Sequence, residues 1–211
     1  MADIRIGRMV LGSCQTNCYF IYEAESKKAV VVDPADNGAQ IYSALQRNGF
    51  NIEAILLTHG HFDHIWGSKE LRELSGAKIY ALDEEKVLCE NSRNNVSEYA
   101  GRAYTVVPDE YVRDGAELVF DGITFKVIAT PGHTIGSCCY YIEEAGMLIS
   151  GDTLFLESTG RTDFPTGSMS SIVRSIREKL FVLPEDTKVY PGHMDSTTIG
   201  HEKKYNPFVA E

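Results

Sequence analysis

Hydrophobic and polar residues alternate from the start of the chain, and Ile4, Ile6 and the run 8–11 predict a first strand. Runs at 18–22 and 29–32 predict two more, the second stopped by Asp33-Pro34. The spacing then becomes helical over 37–48. Ile41, Ala44, Leu45 and Asn48 share a face, and Gly49 suits the left-handed residue beyond a helix end. The unbroken apolar stretch 54–58 predicts a strand buried on both faces. Helices are expected at 68–74 and 83–90, with a strand at 78–81 between them. The polar stretch 91–116 shows no period. Two hairpins follow, 117–120 with 123–129 around Asp121-Gly122, and 137–142 with 147–150 around Glu144-Ala145-Gly146. An amphipathic helix is expected at 170–182, with Ile172, Val173, Ile176 and Leu180 on one side, and a last strand at 187–190.

This order contains an echo. A strand ending in Asp33, a helix, and a strand running to His59 resemble a strand ending in Asp152, a helix, and a strand running to His193. Two such halves predict two packed sheets with helices outside.

Composition narrows the picture modestly. With 211 residues, 43% of them hydrophobic, and no Gly/Ser/Pro-rich linker, one domain over 1–211 is expected. The formal net charge of -10 disfavours nucleic acid as a partner. It says little about a small substrate, because bound cations would offset part of it. No basic, apolar leader opens the chain, and no apolar run approaches the roughly 18 residues of a membrane span. Five cysteines without an export signal fit reduced thiols, so a cytoplasmic location with no membrane partner is expected. Cys14 and Cys18 have CxxxC spacing. With no second pair nearby, they read as small apolar residues rather than metal ligands.

The chemistry concentrates in a few short segments. Three of the chain's six histidines fall within Thr58-His59-Gly60-His61-Phe62-Asp63-His64. In extended backbone His59, His61 and Asp63 project to one side, while His64 points elsewhere and can reach a second ion. Imidazole and carboxylate donors suit zinc and other first-row divalent ions. Two further histidines each follow a Pro-Gly turn after a predicted strand, at Pro131-Gly132-His133 and Pro191-Gly192-His193. Such turns let backbone pass close to a ligand. Gly151-Asp152 ends an apolar strand, where a carboxylate can bridge two cations. His201 reads as a surface residue in a polar tail.

These segments, in this order and over nearly the whole chain, resemble the metallo-β-lactamase superfamily. Gly151-Asp152-Thr153-Leu154-Phe155, Gly160-Arg161-Thr162-Asp163-Phe164 and Gln15-Thr16-Asn17-Cys18 resemble its glyoxalase II-like (hydroxyacylglutathione hydrolase-like) branch. The resemblance implies an α/β fold, an αββα sandwich of two mixed sheets with helices on the outer faces. It implies one metal on His59, His61 and His133 and a second on Asp63, His64 and His193, with Asp152 bridging. Two divalent ions are expected, zinc first, then iron or manganese. Asp152 stands where some β-lactamases carry Cys, which points away from antibiotic hydrolysis.

The implied reaction is thioester hydrolysis of the S-lactoylglutathione type by a hydroxide shared between the ions. Asp63 is a ligand that can also handle the proton. Asp33 is either a turn cap or an acceptor that orients a histidine. Arg161 stands next to a glycine where glyoxalase II enzymes carry a carboxylate-binding Lys. It either binds a substrate carboxylate or pairs with Asp163 and braces its loop. No counterpart of the helical C-terminal domain of two-domain glyoxalase II enzymes is expected in the stretch after His193, and Lys203, Lys204 and Tyr205 lie in a tail expected to be flexible. The substrate is thus expected to be a small thioester, glutathione-derived. Rivals are a persulfide dioxygenase with one iron on two His and one Asp, a lactonase of the same fold, and a non-catalytic metal-binding member. The complete seven-residue set favours two metals over the first.

Overall fold

The computed structural model describes residues 3–209. Strands β1 (Ile4–Leu11), β2 (Thr16–Glu23), β3 (Lys28–Val32), β4 (Asn51–Leu56), β5 (Lys78–Leu82) and β6 (Glu110–Val112) lie side by side in chain order. β1 to β3 are antiparallel, and β3 to β6 are parallel. The second sheet is built from β7 (Glu117–Phe120), β8 (Ile123–Ala129), β9 (Cys138–Ile142), β10 (Met147–Gly151), β13 (Lys188–Pro191) and β14 (Thr197–Thr198), in the order β14-β13-β10-β9-β8-β7. Only β10 and β13 run parallel in it. A separate short hairpin pairs β11 (Leu154–Phe155) with β12 (Ser158–Thr159).

Period-two alternation decides which side chains meet. Tyr19, Ile21, Val30, Val32, Ala54 and Leu56 of the first sheet pack against Phe125, Val127, Tyr140 and Ile149 of the second. The intervening residues Cys18, Val31, Ile55 and Leu57 face the other way, towards Ile41 and Leu45 of α1 (Gly38–Arg47) and Leu71 of α3 (Ser68–Ser75). On the far side Cys139, Tyr141, Leu148 and Val189 pack on Ile172 of α5 (Met169–Ser175) and Ile199 of α6 (Ile199–Tyr205). Three apolar layers therefore hold four structural layers, the αββα sandwich expected. The apolar part of β4, Ala54 to Leu56, is central in its sheet and covered on both faces, and the strand ends before Thr58.

The echo is a feature of the topology. β3-α1-β4 and β10-α5-β13 are each a parallel pair joined by a helix. Asn37 caps α1 by accepting from the Gln40 N–H, and Gly49 ends it at φ +78°.

Several boundaries differ from the sequence reading. The helix expected at 83–90 is a tight turn over Asp83–Glu85 followed by one helical turn, α4 (Lys86–Cys89). The helix expected at 170–182 becomes a π-helical turn over Ile176–Leu180. The stretch 91–116 holds edge strand β6 and a turn-rich loop, in which Asn95 and Ser97 side chains bond the Tyr104 carbonyl. Such side-chain-to-backbone bonds carry no periodic signal. The tail is not a flexible extension. It forms α6, capped by Thr198, with Glu202 buried against Thr197 and Asn206. No helix among the described residues is long and apolar enough to cross a membrane.

Candidate metal centre

The seven residues singled out above come together at the ends of strands from both sheets. β4 leads into His59 and His61, and the chain then turns helical, α2 (Phe62–Ile65), carrying Asp63 and His64. This overturns the expectation that Asp63 projects with His59 and His61. Helical backbone from Phe62 swings it to the side of His64. The second sheet delivers His133 from the turn after β8, Asp152 from the end of β10, and His193 from the turn after β13.

Two triads of donor atoms result, His59 with His61 and His133, and Asp63 with His64 and His193, each within 4.8 Å of one another. His61 Nδ1 lies 2.8 Å from His133 Nε2, and His64 Nε2 lies 3.4 Å from His193 Nε2. Asp152 sits between the triads. Its Oδ2 is 3.6 Å from His133 Nε2 and 3.5 Å from His193 Nε2, and its Oδ1 is 3.4 Å from His64 Nε2. Asp63 Oδ2 is 3.3 Å from His193 Nε2. His59 Nε2, His61 Nε2 and Asp152 Oδ1 are buried without a hydrogen-bond partner. Buried polar atoms are normally satisfied, so the orphans His59 Nε2 and Asp152 Oδ1 fit a bound cation, while His61 turns its Nδ1 to the cluster. A third grouping, Asp33 with His59 and His64, has no free oxygen to offer. Asp33 Oδ1 accepts from the Thr58 N–H at 2.8 Å, and Oδ2 accepts from the Thr58 hydroxyl at 2.6 Å and His64 Nδ1 at 2.9 Å.

Asp33 therefore acts as the acceptor that orients histidines, not as a turn cap alone. His64 donates to it directly, and His59 Nδ1 donates to Thr58 Oγ1 at 3.1 Å, which itself donates to Asp33. His133 Nδ1 donates to the Arg161 carbonyl at 2.7 Å. In all three cases the opposite nitrogen, Nε2, is turned to the cluster. This is the tautomer control that metal-ligating histidines require.

Charge follows the same geometry. Burial, reinforced by neighbouring imidazoles, pushes His59 well below the usual histidine range, so it is neutral with a lone pair to give. Burial and His133 do the same to His61. Burial also opposes a charge on His64, yet Asp152, Asp63 and Asp33 outweigh it and raise the imidazole to about 10. Burial would raise Asp63, but His64 and His193 hold it below the usual carboxylate range. The cluster of carboxylates thus draws positive charge inward, which a divalent ion supplies.

Residues 11–193 match the family model of the metallo-β-lactamase superfamily. The chain belongs to this superfamily. It is 34% identical over 198 residues to the hydroxyacylglutathione hydrolase GloC of Haemophilus influenzae, covering 92% of this chain and 93% of that one. Its structure resembles that of BLEG-1, a B3 metallo-β-lactamase, with a TM-score of 0.93, 37% identity and coverage of 98% and 100%. It also resembles the di-iron-bound form of TTHA1623, with a TM-score of 0.86, 32% identity and coverage of 96% and 99%. The His/Asp cluster together with the metallo-β-lactamase fold implies divalent metal.

The cluster opens on a cleft of about 510 Å³ walled by Phe62, Phe155, Phe164 and Met194. Arg161 stands at its rim. Its guanidinium makes two 2.7 Å bonds to Asp163 and stacks 3.8 Å over the Phe164 ring. It braces its loop as well as lining the cleft. His201 bonds Glu157 at 3.0 Å in α6. Cys18 is buried in the core beside α1, whereas Cys14 is exposed at the cleft.

Sequence reasoning missed the supports. Glu85 lies in no motif, and Thr58 opens the histidine-rich segment without any role assigned to it. Thr16 and Asn17 were visible only within the Gln15–Cys18 resemblance, and the structure shows what they do. The Thr16 hydroxyl donates to Asp63 at 3.2 Å. The Asn17 amide donates to the carbonyls of Pro191 and Met194, clamping the turn that carries His193. The Pro-Gly turns serve close approach. A Cβ on Gly192 would collide with Asp152 Oδ1 and His64.

Proposed function

We propose that the protein is a binuclear metallohydrolase that cleaves thioesters of the hydroxyacylglutathione type. The carrying observation is the meeting of two donor triads at one carboxylate, Asp152, on the floor of an open cleft. His59, His61 and His133 would hold one ion and Asp63, His64 and His193 the other, with Asp152 shared. Bound there, two such ions would supply a nucleophilic water at neutral pH and Lewis-acid polarisation of the acyl oxygen. Zinc suits the nitrogen-rich donors, and the di-iron neighbour keeps iron open.

The chain's own residues set the rest. Asp33 and Thr58 hold His59 and His64 with their Nε2 atoms inward. Asp63, on the cleft side and bonded by Thr16, would take a proton from the attacking water. Phe155, Phe164 and Met194 exclude water from the acyl group. Arg161 meets an anionic end of the substrate at the rim in competition with Asp163. A thiolate leaves without strong acid help. The likeness to GloC supports the thioester. The likeness to BLEG-1 favours a second reading, β-lactam hydrolysis.

Metal analysis by mass spectrometry, followed by parallel assays on S-D-lactoylglutathione and a chromogenic cephalosporin, tests both. About two metals per chain with metal-dependent thioester turnover is expected. One iron per chain with oxygen uptake on glutathione persulfide would overturn it. Turnover of the cephalosporin alone would move the assignment to the second reading.

A further inference from the structure

The mechanism above leaves two buried carboxylates unused, Glu202 in α6 and Glu85, and only the second touches the turns that carry the cluster. Glu85 is fully buried, and no ion pair among the described residues reaches it. Its Oε1 accepts from the Gly60 N–H at 2.7 Å. Its Oε2 accepts from the Gly136 N–H at 2.8 Å and the Thr134 hydroxyl at 2.9 Å. The Ser137 hydroxyl lies 2.6 Å from that of Thr134 and extends the network.

These donors lie in two particular places. Gly60 sits between His59 and His61, in the turn that leaves the first sheet. Thr134 follows His133, and Gly136 closes the same turn, which belongs to the second sheet. The turns are seated on the Glu85–Cys89 segment. A Cβ on Gly136 would collide with the Glu85 backbone, and one on Gly60 would lie 3.0 Å from Leu88 Cβ and Cys89 N. Neither sheet's own ladder sets how far His59 and His61 stand from His133. A contact that crosses between the turns does, and Glu85 is one.

We propose that Glu85 is a positioning residue of the metal centre, fixing the separation of His59 and His61 from His133 by holding both of their turns. The inference rests on the metal centre of the proposed function but not on its thioester substrate.

The test is Glu85→Gln, read by cobalt(II) affinity in competition with a chromophoric chelator and by the cobalt d–d bands. Glutamine keeps the shape but turns an amide NH₂ towards one of the donors now satisfied. Affinity is expected to fall about 10–100-fold, with shifted bands, as for other residues that support ligands. Leu45→Ala, a core truncation in α1, should lower stability while leaving affinity and bands unchanged. Thr134→Val removes one donor of three and should show a smaller effect in the same direction, with Thr134→Ser matching wild type. A folded Glu85→Gln protein with wild-type affinity and bands would overturn the proposal. If that variant does not fold, an indifferent Thr134→Val would do so. Wild-type protein that binds no cobalt would remove the metal reading and this proposal together.

Discussion

The two parallel pairs, β3-α1-β4 and β10-α5-β13, place an acid at the end of their first strand and a histidine just beyond their second, yet they use the acid differently. In the first half Asp33 itself takes the left-handed conformation, at φ +51°. Its carboxylate turns back and grips Thr58 and His64. In the second half Gly151 takes that conformation, at φ +49°, and the acid comes one residue later. The ladder between β10 and β13 shifts register at the same point. Asp152 therefore faces the cluster, while Asp33 stands behind it. Both acids reach the same ring, Asp33 at His64 Nδ1 and Asp152 at His64 Nε2. A one-residue offset separates the acid that holds a histidine from behind from the acid that faces the cluster.

Removing the facing acid should have the largest effect. Asp152→Ala is expected to cost about a thousandfold in turnover, since metal stabilisation of a transition state amounts to several kcal/mol, and to lower the metal content per chain. Wild-type metal content would break the comparison at its centre. The acid behind should cost less. Asp33→Asn keeps an acceptor for Thr58 but not one for both partners, and metal affinity should fall about 10–100-fold by chelator competition.

The left-handed glycine tests the geometry alone. Gly151→Ala strains φ and drives a Cβ into Thr58, so thermal unfolding should show a loss of about 1–3 kcal/mol. The shared ring yields a pH signature in metal-free protein. His64 is raised from 6.5 to about 10, against burial, by Asp152, Asp63 and Asp33. A raised histidine stabilises fully below its unfolded value, and that contribution fades as pH rises through the folded value. Urea midpoints in chelator should thus decline towards pH 10, and Asp33→Asn should move the decline to lower pH. The smallest effect is expected at Arg161. It is exposed and paired with Asp163, so Arg161→Ala should raise KM for an anionic thioester only a few-fold, with kcat unchanged.

What was legible in the sequence was whatever a short segment encodes. Strand alternation, the apolar run 54–58 and the Pro-Gly-His turns each carry their signal within a few residues, and they led to two sheets and to seven convergent side chains. The position of Asp63 was misjudged because α2 is one helical turn, too short for periodicity to announce it. Asp33 stood open between two roles because only its partners, 25 and 31 residues away, distinguish them. Glu85 was hidden for the same reason, inside a stretch that reads as an ordinary charged helix. Supports of a site are defined by contacts across the fold, and such contacts leave no local pattern.

The last helix bears on the cleft in another way. The β11–β12 hairpin, whose Phe155, Ser158 and Thr159 form part of the cleft wall, has two residues per strand and is too short to stand alone. It is fastened from α6: Glu202 accepts from the Glu157 N–H, and the Asn206 amide donates to the Ser158 carbonyl. Fraying of the last helix is then expected to open the wall with it, which matched hydrogen-exchange rates in the two segments would report. The entrance to the site is in this sense latched from the far end of the chain.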